Sequence, residues 1–188
     1  MSVDIIRRQD TEALPLMPSR EAYIVNLPSI TYDSALSLRV GDHVFDLYYT
    51  PGHTRGQTAV HVPKERVVFT GDTVFAECQT WFHGAHPGQW LEALSFLQTL
   101  DVDWVVPGHG PVVPKSYLAK QKAFIYEWIE AVATAMASGL SKDECVERIS
   151  FLDRFPVDIG QAEMGTFVQQ SAVKRIYEYL SGEVEAYR

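Results

Sequence analysis

Three short segments of the sequence each carry a side chain that can bind a metal ion. The segments TPGHT, TGDT and PGHG contain His53, Asp72 and His109, in that order. Imidazole and carboxylate groups are ligands that zinc and iron accept in proteins. A glycine beside each candidate ligand lets the backbone bend closely around a small ion, because glycine has no Cβ. These three residues therefore predict a metal site.

Each of these segments follows a run of apolar residues typical of a buried strand. Loops that follow strands are common places for binding sites, because the strands hold them rigidly while they stay open to solvent. A single PGH or TGD tripeptide is a weak signal, since the simpler interpretation is a turn with a polar tip. The combination is more specific: Asp72 follows His53 by 19 residues, and His109 follows Asp72 by 37.

In their order and separation, these motifs resemble the C-terminal half of the metallo-β-lactamase superfamily, whose members are mostly metal-dependent hydrolases. The resemblance covers residues 30–113. It implies an αββα sandwich, of which this chain would supply one half. It also implies that His53 binds a first metal, that Asp72 bridges both metals and that His109 binds the second.

The main signature of that family, HxHxDH, is absent from this sequence. No histidine precedes His43, and the closest pair, His83 and His86, lacks the aspartate. Against the family pattern four of seven metal ligands are missing, and we expect the chain to begin where a full-length member is already half complete. Three alternatives stay open: one metal held by three ligands, ligands borrowed from another chain, or no activity.

The resemblance implies a hydrolase that holds one zinc ion, or another divalent transition metal, per chain. Three protein ligands and one open position are usual for catalytic zinc, and His53, Asp72 and His109 meet that count. We expect Asp72 to be catalytic, through a metal-activated water, on a small-molecule substrate with an ester, thioester, lactone or similar bond. The alternatives are a catalytically silent metal-binding or assembly protein, and a truncated fragment of a full-length hydrolase.

Other polar residues have simpler interpretations. The segment from residue 80 to 88 often borders the active site in the family, so His83 and His86 are candidates for lining the site or adding a ligand. His61 lies in a strand and is interpreted as structural. Cys78 is not interpreted as a nucleophile, because no general base is placed beside it in the sequence.

The pattern of the sequence changes near residue 113. Before it, β-branched and aromatic residues alternate with frequent Gly and Pro; after it, the apolar residues recur at helical spacing. We predict strands at Ala35–Val40, at His43–Tyr49 and at residues 57–62, 66–70 and 102–106. We predict helices at residues 89–100, 115–138, 142–149 and 161–180. The fold class is therefore α/β or α+β. The resemblance implies half of an αββα sandwich with a C-terminal helical extension.

This pattern divides the chain into two regions. Residues 1–113 form a partial metallo-β-lactamase-like domain, with an N-terminal arm at residues 1–28 that includes one strand at residues 23–25. Residues 114–188 form a C-terminal helical region packed on that domain.

Composition narrows the class of protein. The 188 residues carry a net charge of −8 without a cluster of Lys or Arg, so nucleic acid and anionic membrane surfaces are not expected partners. No apolar run approaches the 18 or so residues of a membrane span. Cys78 and Cys145 form no disulfide framework, which favours the reducing cytoplasm.

The apolar strand residues also predict an assembly. One sheet layer is supplied by Leu36, Leu38, Val44, Leu47, Val60, Val62, Val67 and Phe69. The sequence provides no second layer, and a bare apolar face of this size exceeds what monomers usually expose. We therefore expect a homodimer in which two copies pair symmetrically.

Overall fold

A single sheet with helices between and after its strands makes up the described structure. The computed structural model describes residues 28–154 and 164–187. The chain divides into two units, Met1–Asp33 and Ser34–Arg188, and all described helices and strands lie in the second. The strand predicted at residues 23–25 lies outside the described residues, as does nearly all of the predicted N-terminal arm.

Six strands form the sheet, in the spatial order β1 to β6. They are β1 (Ala35–Val40), β2 (His43–Tyr49), β3 (Thr58–Val62), β4 (Val67–Phe75), β5 (Trp104–His109) and β6 (Val113–Pro114). Neighbouring strands are antiparallel except β4 and β5, which are parallel. A parallel pair needs a crossover connection, and helix α1 (Pro87–Thr99) supplies it.

Arg66 joins the start of β4 to the entry of β5. It follows a short 3₁₀ turn, Pro63–Glu65, and has a left-handed backbone with φ of 53°. Its guanidinium donates to both carboxylate oxygens of Asp103, at 2.8 and 2.9 Å, and to Asp101 at 2.6 Å. This fork fixes the two parallel strands at the end opposite the predicted metal ligands.

Three further helices follow the sheet: α2 (Tyr117–Ala137), α3 (Lys142–Arg148) and α4 (Gly165–Leu180). Helix α3 begins with a capping box, in which the Ser141 hydroxyl accepts from Glu144 N and the Glu144 carboxylate accepts from Ser141 N. Residues 161–163 of the last predicted helix lie outside the described residues. Of the helices described, none combines the length and apolarity that crossing a bilayer requires.

The predicted start of the long helix at residue 115 is wrong by two residues. Pro114 belongs to strand β6, and the backbone N–H of Lys115 donates to the carbonyl of Asp103 at 2.9 Å. The Lys115 ammonium also donates to the carbonyl of Leu100 at 2.5 Å. These contacts with the β5 entry hold the segment outside the helix, so α2 begins only at Tyr117.

One hydrophobic core lies between the sheet and the helices. Ala59, Val68 and Val105 point into it from three adjacent strands and are fully buried. They belong to the same cluster as Trp90 of α1 and residues of α2 and α4. The predicted mixed α/β architecture, a sheet followed by helices, is therefore confirmed.

Buried glutamines tie the helices to the segment that follows β4. The Gln121 side chain of α2 accepts from Phe75 N at 3.2 Å and donates to the Thr80 hydroxyl at 3.1 Å. Gln169 of α4 donates to the buried Gln79 side chain. Because buried polar groups are costly without partners, these bonds specify one position for the segment.

His86 begins helix α1 as its N-cap. Its Nδ1 accepts from the backbone N–H of Gln89 at 3.1 Å, and its ring packs against Tyr179 with centroids 5.1 Å apart. Only a neutral imidazole has a lone pair for this bond. Burial, together with the nearby Arg175 guanidinium, lowers the pKa of His86 from its ordinary value.

The cap predicts a pH-dependent stability. Because the folded pKa of His86 lies below the ordinary value of 6.5, the unfolded chain binds this proton first, and the free energy of unfolding should decrease as pH falls below that value. His86→Asn keeps a capping oxygen and should reduce this loss by up to about 1 kcal/mol. Urea unfolding of both proteins at about pH 7.5 and about pH 5.5 measures it. Equal losses in both proteins would contradict this role of the His86 cap.

Candidate metal centre

His53 lies in the loop between β2 and β3, held by three backbone hydrogen bonds. Thr50 N donates to Gln57 O at 2.9 Å, Gly52 N donates to Thr54 O at 3.3 Å, and His86 N donates to Gly52 O at 2.7 Å. The loop packs so closely on α1 that a Cβ at Gly52 would lie 2.6 Å from the backbone nitrogen of Trp90. The glycine is therefore required for this close approach.

Asp72 lies inside strand β4, not in a loop after it, so that part of the prediction is wrong. The strand was expected to end at residue 70 but continues to Phe75. Its pairing with β5 shifts in register between Phe69 and Gly71 and again between Gly71 and Phe75. Such irregularities re-aim side chains, and they let an extended strand place Asp72 in the site.

His109 is the last residue of strand β5. The prediction that it lies in a loop after the strand is therefore also wrong. It pairs in register with Phe75, and its carbonyl accepts from Ala76 N at 2.9 Å. The imidazole stacks on the Phe75 ring, with centroids 4.9 Å apart and planes inclined by 4°. The parallel pair β4–β5 thus delivers Asp72 and His109 to the same end of the sheet.

The three predicted residues come together around the carboxylate. One Asp72 oxygen, Oδ2, lies 3.6 Å from His53 Nε2, and the other, Oδ1, lies 3.5 Å from His109 Nε2. These distances are too long for hydrogen bonds. They fit two neighbouring ligands of one tetrahedral zinc ion, which are about 3.4 Å apart when each bond is about 2.1 Å. The donor types, and the spacing of each pair taken by itself, therefore suit zinc.

The carboxylate is shared between two ligand pairs. Among residues 28–154 and 164–187, no group of three or more His, Cys, Asp or Glu side chains is arranged to hold a metal ion as it stands. The pairs His53–Asp72 and Asp72–His109 have one aspartate in common, with a different oxygen facing each imidazole. The role of the three residues as metal ligands stays a prediction.

The two imidazoles differ in their access to solvent. The His53 side chain is 10% exposed, whereas those of Asp72 and His109 are 40% and 32% exposed. Burial lowers the pKa of His53, an effect that the Asp72 carboxylate opposes in part. A neutral imidazole is the form that binds metals. Solvent and small molecules therefore reach the site past Asp72 and His109, with His53 at its floor.

Gly108 makes room for the carboxylate. A Cβ at this position would overlap Oδ1 of Asp72. The residue before His109 must therefore lack a side chain if Asp72 is to keep its present position between the two imidazoles.

Two aromatic residues that support the site were not identified as functional from the sequence. Phe75 lies between the imidazoles, 5.4 Å from the His53 ring and 4.9 Å from that of His109. The Trp90 ring lies 5.2 Å from that of His53, and its Nε1 donates to Thr73 O at 2.8 Å. Residue 90 lies within the helix predicted at residues 89–100, but no sequence signal connected it to the loop of His53.

The neighbouring histidines have different positions. His83 is exposed. His86 uses Nδ1 to cap α1. Arg175 of α4 donates to the carbonyls of Gly84 and Ala85, between these histidines, at 3.2 and 2.5 Å.

Two similar proteins match parts of this chain. A hydroxyacylglutathione hydrolase from Maricaulis maris is 41% identical over 64 residues, which are 34% of this chain and 25% of that protein. A beta-lactamase-like protein 2 homolog from Caenorhabditis elegans is 31% identical over 83 residues, 44% of this chain and 28% of that protein. The chain spans about a quarter of the length of the curated relatives it matches.

A solved structure and a family model agree with these matches. The metallo-beta-lactamase family protein from Thermus thermophilus superposes with a TM-score of 0.57 over 84% of this chain and 50% of that one, at 18% identity. At that identity the likeness shows the fold alone. The family model of the metallo-beta-lactamase superfamily matches residues 5–109, more than half of the chain. The chain therefore belongs to the metallo-beta-lactamase superfamily.

Proposed function

We propose that this chain is a metal-dependent hydrolase that holds one zinc ion, or a similar divalent transition metal, through His53, Asp72 and His109. The observation that supports the proposal best is the position of the Asp72 carboxylate between the two imidazoles, at ligand-to-ligand distances of 3.5 and 3.6 Å.

When bound, the metal supplies Lewis acidity, which polarises the substrate carbonyl and makes water nucleophilic near neutral pH. The chain's own residues do the rest. Asp72 contributes the negative charge that retains a divalent cation. His53 is kept neutral by burial and forms the floor of the site. Phe75 and Trp90 fix the rings, so that little rearrangement is needed when the metal binds.

The substrate class that we propose is a small thioester. Relatives named hydroxyacylglutathione hydrolase act, by that name, on hydroxyacyl conjugates of glutathione, in which sulfur carries the acyl group. The exposed side of the site, past Asp72 and His109, leaves an approach for such a molecule. Metal binding without turnover, the silent alternative, is a distinct outcome of the experiments below.

The first prediction concerns the metal. Titration of the purified chain with zinc by calorimetry should give about one ion per chain, and Asp72→Asn should weaken the affinity by at least about 100-fold, because the shared anionic ligand is lost. Asp46→Asn is the matched control, since this half-buried aspartate of β2 bonds only to the Ser37 hydroxyl among the contacts described. No zinc binding, or equal affinities for Asp72→Asn and Asp46→Asn, would overturn the ligand assignment.

The second prediction concerns Gly108. Gly108→Ala should weaken zinc binding by about 10-fold or more, because the new Cβ displaces the Asp72 carboxylate. Gly56→Ala is the control: a Cβ there meets nothing within 4 Å, and its affinity should equal that of the wild type. Circular dichroism checks that both variants fold. An unchanged zinc affinity in Gly108→Ala would count against the placement of the carboxylate.

The third prediction concerns turnover. With zinc present, the chain should release thiol from S-lactoylglutathione, and Asp72→Asn should lower kcat/KM by at least about 100-fold, or about 2.7 kcal/mol in transition-state stabilisation. Hydrolysis of nitrocefin should be weak or absent. A zinc-loaded chain that releases no thiol would support the silent alternative, and turnover that survives both chelation and Asp72→Asn would refute the mechanism.

A further inference from the structure

The sheet has an apolar face on the side opposite the helices, which we call the outer face. Cross-strand pairing aligns one row of it over five strands: Leu36, Leu47, Val60, Phe69 and Val106. Side chains two residues away along each strand lie on the same face. The adjacent row therefore includes Leu38, which pairs with Phe45, and Val67, which pairs with Trp104.

The two faces of the sheet differ in burial. On the helix side Ala59, Val68 and Val105 are fully buried. On the outer face Phe69 is 44% exposed and Trp104 is 53% exposed, although Val62, which pairs with Val67 in the adjacent row, is buried. Neither row contains an Asp, Glu, Lys or Arg residue. Large apolar side chains in contiguous rows on a chain of net charge −8 indicate an interaction surface and not solvent-facing sheet.

We propose that the outer face packs against the outer face of a second copy of this chain, forming a symmetric homodimer. Two uncharged faces can meet under twofold symmetry without bringing like charges together. Sheets pack face to face at about 10 Å in this way, with apolar side chains interdigitating. The proposal stands on the sheet alone and is independent of the proposed hydrolase activity.

The size of the face is sufficient for a dimer. Five strands about 4.8 Å apart, each contributing about six residues of about 3.3 Å, give a face of about 24 by 20 Å. Two copies would bury roughly 1,000 Å² or more, which is where specific interfaces begin.

The chain's own residues 1–27 are the competing occupant of the face. They carry seven charged side chains and two prolines. A second outer face has no charged side chain and no proline in its two rows, and charged groups are costly to bury.

The experiment is light scattering after size exclusion on the full chain. The wild type should elute at twice the chain mass of 21.2 kDa at micromolar concentration. Phe69→Lys places a charge in the middle of the interface in both copies, and it should weaken the dimer by at least about 100-fold and yield a monomer. Phe69→Leu should remain dimeric.

Phe167→Lys is the matched control, because this α4 side chain is 50% exposed and lies outside the sheet. It should remain dimeric, and circular dichroism should show native helix content in all variants. If Phe69→Lys fails to fold, Trp104→Lys on strand β5 replaces it. A folded wild-type monomer, whatever covers the face, overturns the proposal. A dimer that persists when lysine is placed on the outer face also overturns the proposal. Loss of the dimer in Phe167→Lys would overturn it as well.

Discussion

The burial of Trp90 is the interaction on which the geometry of the candidate metal centre depends. Its indole donates to the carbonyl of Thr73, next to Asp72, and its ring packs edge-on against His53. Gly52 also packs directly against the backbone of Trp90. One fully buried residue thus holds the loop of the first imidazole and the strand of the carboxylate in a fixed relation. Because large aromatic side chains bury 150–250 Å² each, this contact also contributes strongly to stability.

The C-terminal helices also support the candidate site. Gln121 and Gln169 bond to the segment that follows β4, and Arg175 bonds to the loop that precedes α1. Tyr117 adds a contact, since its hydroxyl accepts from Glu77 N at 2.7 Å. These bonds come from four positions along α2 and α4, and all reach the chain between Asp72 and Trp90. The helices therefore fix the segments that surround the site, although none of the three predicted ligands lies on them.

The second constraint on the candidate site is the close approach of two glycines to other segments of the chain. At Gly52 and Gly108 an added Cβ would meet the backbone of Trp90 or the carboxylate of Asp72. The glycines noted in the sequence were attributed to tight turns around an ion. At these two positions the structure gives a different reason, which is contact with another segment. Such contacts join residues that are 36 or more positions apart in the chain, so no local pattern reports them.

The sequence alone was sufficient for the elements whose signal is local. The alternating residues of β1 and β2, the apolar spacing of α1 and the capping box of α3 report backbone conformation directly, and each was predicted within about two residues. The three candidate ligands were also identified from residue type and spacing. Other features depend on partners that are distant along the chain. Strand β4 runs on through Asp72 only because β5 pairs with it, and α2 starts late only because Lys115 binds the β5 entry. The position of the carboxylate between two imidazoles, and the support from Phe75 and Trp90, likewise arise only once the sheet and helices pack. Local periodicity carries no information about which distant side chains will meet.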